Sequence, residues 1–202
     1  MMTRDEVLCV VAIAAERSRA AVFVGNGYNA RALCALADQR EFFYMVGSMG
    51  LCPTLAAGFA HCVRMPVIAV EGDGNALMGL SGFPVASKAA PGPFVHIVLD
   101  NGLQESTGGH RGLSSHVDFG LLALGTGYEQ VYHPEDVSSL ETLLEVAVRR
   151  VSRTFLYVTT QTDVVHPRVP YDPQQITRRF REAISTRLTL DWRYSDGNDS
   201  AC

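Results

Sequence analysis

The sequence has 202 residues, of which 47% are apolar and 19% charged, and its net charge at pH 7 is −4. This length suits one globular domain with a substantial core, and the slight negative charge gives no electrostatic case for a nucleic-acid partner. No stretch is long enough to cross a bilayer, acidic residues interrupt the apolar N-terminal run, and five cysteines without C-x-x-C spacing are typical of reduced thiols in a cytoplasmic protein.

Strands and helices are predicted to alternate along most of the chain. Thr3 and Glu6 have the spacing of a capping box, which indicates a first helix that extends to about residue 19. Apolar runs predict six strands, at residues 21–24, 42–46, 67–70, 94–99, 129–132 and 154–159. Further helices are predicted at residues 30–37, 54–63, 77–90, 119–124, 134–151 (with Pro134 at the first helical position) and 174–188. This alternation favours an α/β fold in which helices cover both faces of a mainly parallel six-stranded sheet.

A single domain is predicted to extend from residue 1 to residue 188. The helix at its end is expected to lie at the periphery of the molecule. Residues 189–202 end in the polar sequence YSDGNDSAC and are expected to form a disordered tail.

Two polar turns are predicted to follow neighbouring strands. Gly72-Asp73-Gly74 follows the strand at 67–70, and Asp100-Asn101-Gly102 follows the strand at 94–99. A strand, a crossover helix and a second parallel strand would bring Asp73 and Asn101 to the same edge of the sheet. Carboxylate and amide oxygens suit Mg²⁺, which often keeps coordination positions for phosphate. The glycines and the start of the next helix also let backbone N–H groups approach an anion.

The combined pattern, GDGN at 72–75 and LDNG at 99–102, resembles the diphosphate- and metal-binding motif of thiamine diphosphate enzymes. It is most similar to the branch of phosphonopyruvate and sulfopyruvate decarboxylases. That branch also has GSMG, here at 47–50, DNG-x-x-x-STGG, here at 100–109, and VDF, here at 117–119. The resemblance covers residues 21 to 158 and implies the three-layer thiamine diphosphate-binding fold of a pyrophosphate-binding (PP) domain.

The resemblance implies a cofactor site, a metal site and a substrate site. Mg²⁺ would be held by the side chains of Asp73 and Asn101 and by the backbone carbonyl of Leu103, and Met49 would support the bent cofactor from below. The implied cofactor contacts are Asn26, Gly27, Gly47, Ser48, Met49, Gly50, Gly72, Asp73, Gly74, Asn75, Asn101, Leu103, Gln104 and Glu105. The implied substrate contacts are Ser106, Thr107, Gly108 and Gly109, whose hydroxyls and unhindered N–H groups can form an anion-binding concavity.

Three histidines have different interpretations. His110 is the candidate catalytic residue of this chain, because a histidine with a near-neutral pKa can relay protons or meet an anionic substrate. It replaces a glutamine that is usual in the branch, and Gly112 replaces a threonine, so an exposed loop residue without a role is the other interpretation. His116 lies in the same loop. His96 lies within an apolar strand and is expected to be a core residue.

Residues 24–30, VGNGYNA, nearly match the fingerprint of dinucleotide-binding Rossmann folds. No acidic residue ends the next strand, so binding of NAD or FAD is not favoured. In the resembling branch this loop lies beside the aminopyrimidine, with a serine and a glutamate nearby. Those positions are Ala30 and Ala32 here, whereas Arg31 matches.

Enzymes of this family also need a pyrimidine-binding (PYR) domain, which supplies the glutamate that protonates N1′ of the cofactor. None is recognised in the sequence, so the resemblance implies the β subunit of a two-component enzyme with a separate PYR (α) subunit, in an α₂β₂ or larger assembly. The expected activity is thiamine diphosphate- and Mg²⁺-dependent decarboxylation of a small 2-oxo acid. Two alternatives stay open: a carboligase that transfers the acyl unit to an acceptor carbonyl, and a non-enzymatic nucleotide-binding or regulatory module.

Overall fold

The computed structural model describes residues 1–89, 91–162 and 164–188, so the predicted tail lies outside the described residues. The strands are β1 (Met2–Thr3), β2 (Ala21–Val24), β3 (Phe42–Tyr44), β4 (Val67–Gly72), β5 (Phe94–Asp100), β6 (Leu103–Gln104), β7 (His110–Arg111), β8 (Gln130–Tyr132) and β9 (Arg153–Gln161). The helices are α1 (Arg4–Ser18), α2 (Tyr28–Ala37), α3 (Cys52–Cys62), α4 (Asp73–Met78), α5 (Gly82–Ala86), α6 (Phe119–Thr126), α7 (Val137–Ala147) and α8 (Pro173–Leu188). In the part of the chain that the structure describes, none of these helices is long and apolar enough to span a membrane.

Seven of the strands form one sheet, in which every described pair is parallel. The order is β3-β2-β4-β5-β9, and both β8 and β1 pair with the outer side of β9. From β2 the chain moves outward to β3 and then returns to β4 on the other side of β2. The carboxyl ends of β2 and β4 therefore form a topological switch point, the position at which open α/β sheets bind ligands.

Alternate residues of the central strands face two separate cores, because successive side chains point to opposite faces of a sheet. One core lies between the sheet and α1, α2 and α7, and it contains Val22, Ile68 and Leu144. The other lies under α3, α5, α6 and α8, and it contains Phe23 and Phe155. The predicted fold class, a mainly parallel sheet with helices on both faces, is confirmed.

Two predictions at the start of the chain and after β4 need correction. The sheet has a seventh strand, β1, which is two residues long and too short to produce an alternating pattern. The single helix predicted at 77–90 is instead two short helices, α4 and α5. The break falls at Gly79, the C-cap of α4, whose backbone lies so close to Gly50 that a Cβ would be 2.0 Å from the Gly50 carbonyl oxygen, so only glycine fits at this position.

Two predicted helices differ in their position. α7 begins at Val137, and Asp136 is its N-cap, since the Asp136 side chain accepts a hydrogen bond from the backbone N–H of Ser139 at 2.8 Å. Pro134 therefore precedes the helix. α8 is not peripheral, because its residues Ile176, Phe180 and Ile184 are buried in the two cores.

Candidate cofactor and metal site

A narrow cleft of about 70 Å³ opens at the switch point, between the loops that follow β2, β4 and β5. It brings together most of the residues that the sequence motifs predicted, although they come from four separate segments. The predicted cofactor and substrate residues that line it are Asn26, Gly27, Met49, Gly72, Asp73, Gly74, Asn75, Asn101, Leu103, Gln104, Glu105 and Ser106. Arg4, Tyr28, Asn29 and Thr160 also line the cleft and were not predicted.

Asp73, the first residue of α4, has one carboxylate oxygen that no protein group in the described part of the chain satisfies. Its side chain is buried, and its Oδ2 atom has no hydrogen-bond partner among the described residues. Burial, together with the negative charge of the nearby Asp100, raises the pKa of Asp73 from 3.8 to about 6. A buried carboxylate oxygen without a partner is costly unless a cation meets it. Asp73 therefore fits a metal ligand better than a structural turn residue.

Asp100, the last residue of β5, is a member of the site that the sequence reasoning did not single out. Its carboxylate accepts hydrogen bonds from the backbone N–H of Gly102 at 2.7 Å, from the Ser114 hydroxyl at 2.9 Å and from the Tyr157 hydroxyl at 2.6 Å. These donors fix the position of the Asp100 side chain near Asp73. The only signal in the sequence was the first letter of the DNG turn, which the resemblance did not assign to a ligand.

Asn101 follows directly and has both ends of its amide fixed. Its Oδ1 accepts from the backbone N–H of Leu103 at 2.9 Å, and its Nδ2 donates to Glu105 Oε2 at 2.9 Å. Only one orientation of the amide satisfies both partners, because an N–H can only donate and a carboxylate can only accept. The Oδ1 atom keeps a second lone pair for another ligand.

Asn75 joins three of the predicted loops. Its Oδ1 accepts from the backbone N–H of Gly50 at 3.1 Å, and its Nδ2 donates to the carbonyl of Asn26 at 3.3 Å. Both polar ends of this side chain are thereby used within the protein. The amide ties the loop after β2 and the turn before α3 to the GDGN segment, so it shapes the cleft from within.

The remaining predicted residues lie outside the lining of this cleft. Gly47, Ser48 and Gly50 form the turn between β3 and α3, in which Ser48 has a positive φ of 57°. Residues 103–111 fold back as the β6–β7 hairpin, which pairs Gln104 with His110 and puts Thr107, Gly108 and Gly109 near its exposed tip.

The three histidines considered in the sequence lie in three different environments. His110 is exposed on the hairpin, and its proposed catalytic role stays a prediction. His116 lines a second, open cleft of about 610 Å³ together with Tyr132, His133 and Tyr157. His96 is fully buried, as expected, with Nε2 3.0 Å from Glu71 Oε1 and Nδ1 2.7 Å from the Tyr128 hydroxyl.

The donor set at the cleft fits a hard divalent cation. The described residues contain no group of three or more His, Cys, Asp or Glu side chains that could hold a metal on their own. A carboxylate from Asp73, an amide oxygen from Asn101 and a backbone carbonyl would instead leave coordination positions for phosphate oxygens. Mg²⁺ is commonly bound in this way, through one or two protein carboxylates and the phosphates of its ligand.

A parallel α/β sheet with glycine-rich turns and oxygen donors at its switch point defines a protein that binds a phosphorylated cofactor. Residues 24–158 match the family model of the thiamine pyrophosphate enzyme, C-terminal TPP binding domain. The chain belongs to this family.

Several relatives carry decarboxylase names. The chain is 38% identical over 167 residues to a phosphonopyruvate decarboxylase from Streptomyces hygroscopicus. The aligned region covers 81% of this chain but only 41% of the relative. It is 29% identical over 166 residues to the sulfopyruvate decarboxylase subunit beta of Methanothermobacter thermautotrophicus, which covers 81% of this chain and 86% of the relative. The chain thus spans less than half the length of the phosphonopyruvate decarboxylase and most of the length of the β subunit.

A solved structure supports the fold. The structure of a candidate thiamin diphosphate-dependent enzyme from Mycobacterium smegmatis superposes with a TM-score of 0.65 at 24% sequence identity. The match covers 79% of this chain and 32% of that chain.

Proposed function

We propose that this chain is the PP-domain (β) subunit of a two-component, Mg²⁺- and thiamine diphosphate-dependent decarboxylase that acts on a small 2-oxo acid. The observation that carries the proposal is the buried, unpartnered Oδ2 of Asp73 beside Asn101, at the switch point of a thiamine pyrophosphate-binding domain. The names of the relatives, phosphonopyruvate decarboxylase and sulfopyruvate decarboxylase subunit beta, support this substrate class.

The chain's own residues would have three tasks. Asp73, Asn101 and the carbonyl of Leu103 would hold Mg²⁺, and the backbone of residues 72–75 would bind the diphosphate. Met49, which lines the cleft, would support the cofactor in its bent form. The bound cofactor supplies the electron sink for decarboxylation, whereas the protein supplies orientation and electrostatics.

A separate PYR-domain (α) subunit would complete the site and supply the glutamate for N1′, in an α₂β₂ or larger assembly. Exposed apolar side chains follow the strands and lie on the helices near this edge of the sheet: Val46, Leu51, Met78, Leu80 and Leu113 are between 42% and 67% exposed. We propose that these side chains are part of the surface that the partner subunit covers, since large exposed apolar patches mark protein contacts. A cytoplasmic location agrees with the free thiols of the four described cysteines Cys9, Cys34, Cys52 and Cys62.

The metal assignment is tested with Asp73→Ala. Calorimetry with thiamine diphosphate and MgCl₂, with the partner subunit present, should show at least a tenfold loss of affinity, about 1.4 kcal/mol. Removing Mg²⁺ from the unmodified protein should cause a similar loss. An unchanged affinity in the variant would remove Asp73 from the metal site.

A further inference from the structure

We infer that Arg4 and Glu105 form a positioning pair that orients the Asn101 amide toward the metal. The inference rests on the proposed Mg²⁺ site and adds two residues to it. Arg4 had no predicted role, and Glu105 was predicted to contact the cofactor.

Arg4 is held rigidly at the wall of the cleft. It is the first residue of α1, and only 3% of its surface is exposed. Its guanidinium donates to Glu105 Oε2 at 2.8 Å through Nη1 and to the carbonyl of Val164 at 2.7 Å through Nη2, and it lies 5.6 Å from the centroid of the Tyr28 ring. A buried arginine is found almost always with a partner. Here the nearest carboxylate is that of Glu105, and Asp5 Oδ1 lies farther away, 3.9 Å from Nε.

The same oxygen of Glu105 also accepts the hydrogen bond from Asn101 Nδ2 at 2.9 Å. This contact decides which end of the amide faces the glutamate. A flipped amide would bring two acceptor oxygens together and would put an NH₂ group where Oδ1 now lies. An NH₂ group has no lone pair for a cation, so the flip would remove a metal ligand.

Both members of the pair are needed for this effect. Without Glu105, Asn101 loses the acceptor that fixes its orientation. Without Arg4, the carboxylate of Glu105 lies on the cleft wall without its countercharge, and either Mg²⁺ or water can draw it away from Asn101. Replacing a residue that hydrogen-bonds to a metal ligand and orients it commonly weakens metal binding by about 10- to 100-fold.

The test is a titration of the chain, together with its PYR-domain partner, with Mn²⁺ in the presence of thiamine diphosphate, followed by the electron paramagnetic resonance signal of free Mn²⁺. Mn²⁺ substitutes for Mg²⁺, and all the proposed diphosphate and metal contacts belong to this chain. We expect Arg4→Met and Glu105→Ala each to weaken Mn²⁺ binding about tenfold. The double variant should bind Mn²⁺ no more weakly than Glu105→Ala alone, because both substitutions interrupt the same series of contacts from Arg4 through Glu105 to Asn101.

Conservative variants separate positioning from general stability. Glu105→Gln keeps an acceptor for Asn101 Nδ2 and should retain more affinity than Glu105→Ala at equal thermal stability. Arg179→Met is the matched control: Arg179 also pairs with a carboxylate, Asp38, at 2.7 Å and lies over a tyrosine ring, that of Tyr171, at 3.8 Å. Its variant should bind Mn²⁺ like the unmodified chain.

The outcomes distinguish a failure of the positioning pair from a failure of the proposed metal site. If Asp73→Ala loses Mn²⁺ binding while folded Arg4→Met and Glu105→Ala bind normally, the positioning pair is wrong and the metal site stands. If Arg4→Met does not fold, Glu105→Ala decides. If Asp73→Ala binds Mn²⁺ like the unmodified chain, both the proposed metal site and the pair are overturned.

Discussion

Ionisation of Asp73 is unfavourable in the metal-free cleft. Its pKa in the folded chain is about 6, against an ordinary value of 3.8, because the side chain is buried and lies near Asp100. The folded state therefore binds this proton more tightly than the unfolded state, and the contribution of Asp73 to stability falls as the pH rises from about 4 to about 6. Above about pH 6 the loss of stability caused by ionised Asp73 stays constant.

We therefore expect Asp73→Asn to stabilise the metal-free chain at pH 7.5, by roughly 1–3 kcal/mol. The advantage should shrink as the pH is lowered toward 4, where the unmodified Asp73 is protonated in the folded state. Urea unfolding of both proteins across this pH range measures the difference. With Mg²⁺ and thiamine diphosphate present, the unmodified chain should instead be more stable than Asp73→Asn. A stabilisation by Asp73→Asn that did not depend on pH would contradict the role of Asp73 ionisation.

At the scale of single residues, the sequence predicted those residues of the candidate site that belong to short contiguous motifs. Asp73 and Asn101 were predicted because each follows a strand within a few residues of glycine. Tyr157 and Arg4 could not be predicted, since they reach the site through contacts with partners 57 and 101 positions away in the chain. Nothing in the local pattern around either residue indicates these partners.

Among the elements, α8 departs most clearly from its predicted position. Its polar composition concealed one apolar face, from which Phe180 contacts the rings of Phe23, Phe43 and Phe59 at centroid distances of 5.1–5.5 Å. Whether an amphipathic helix packs on a sheet depends on the opposite surface, which local periodicity does not describe. Here the opposite surface is a cluster of phenylalanines from β2, β3 and α3.

Phe180→Ala should therefore lower the free energy of unfolding by about 3–5 kcal/mol, because it removes a buried ring and leaves a cavity. Arg178→Ala, on the exposed side of the same helix, should change it by no more than about 0.5 kcal/mol. Denaturant unfolding of the two variants gives the comparison. Equal small effects would show that α8 is peripheral after all.

For the whole molecule, the alternation of strands and helices was enough to predict the class of fold and to bring the turns after β4 and β5 to one edge of the sheet. The alternation did not predict the order of the strands at the outer side of β9. That order depends on β1, whose pairing with Thr160 and Gln161 joins the first strand of the chain to the last. A two-residue strand has too few side chains to produce a readable pattern.

The proposed division of the active site between two chains predicts a simple activity pattern. The rigorously purified chain should decarboxylate no 2-oxo acid, and activity should appear when a PYR-domain subunit is added. The reconstituted pair should have a higher kcat/KM for sulfopyruvate or phosphonopyruvate than for pyruvate. Activity of the chain alone would contradict the two-component proposal. An equal or higher value for pyruvate, or activity only with an acceptor aldehyde, would favour the carboligase.

The borders of the sheet have a further consequence. The long strands β5 and β9 lie inside, whereas one border is the three-residue β3 and the outer side of β9 is covered in two pieces by β8 and β1. Short border strands leave few free backbone N–H and C=O groups for another strand to pair with, which protects a protein against aggregation. Growth of the sheet from one molecule into the next is therefore disfavoured, and other chains are left to bind through the side chains of the helices and loops.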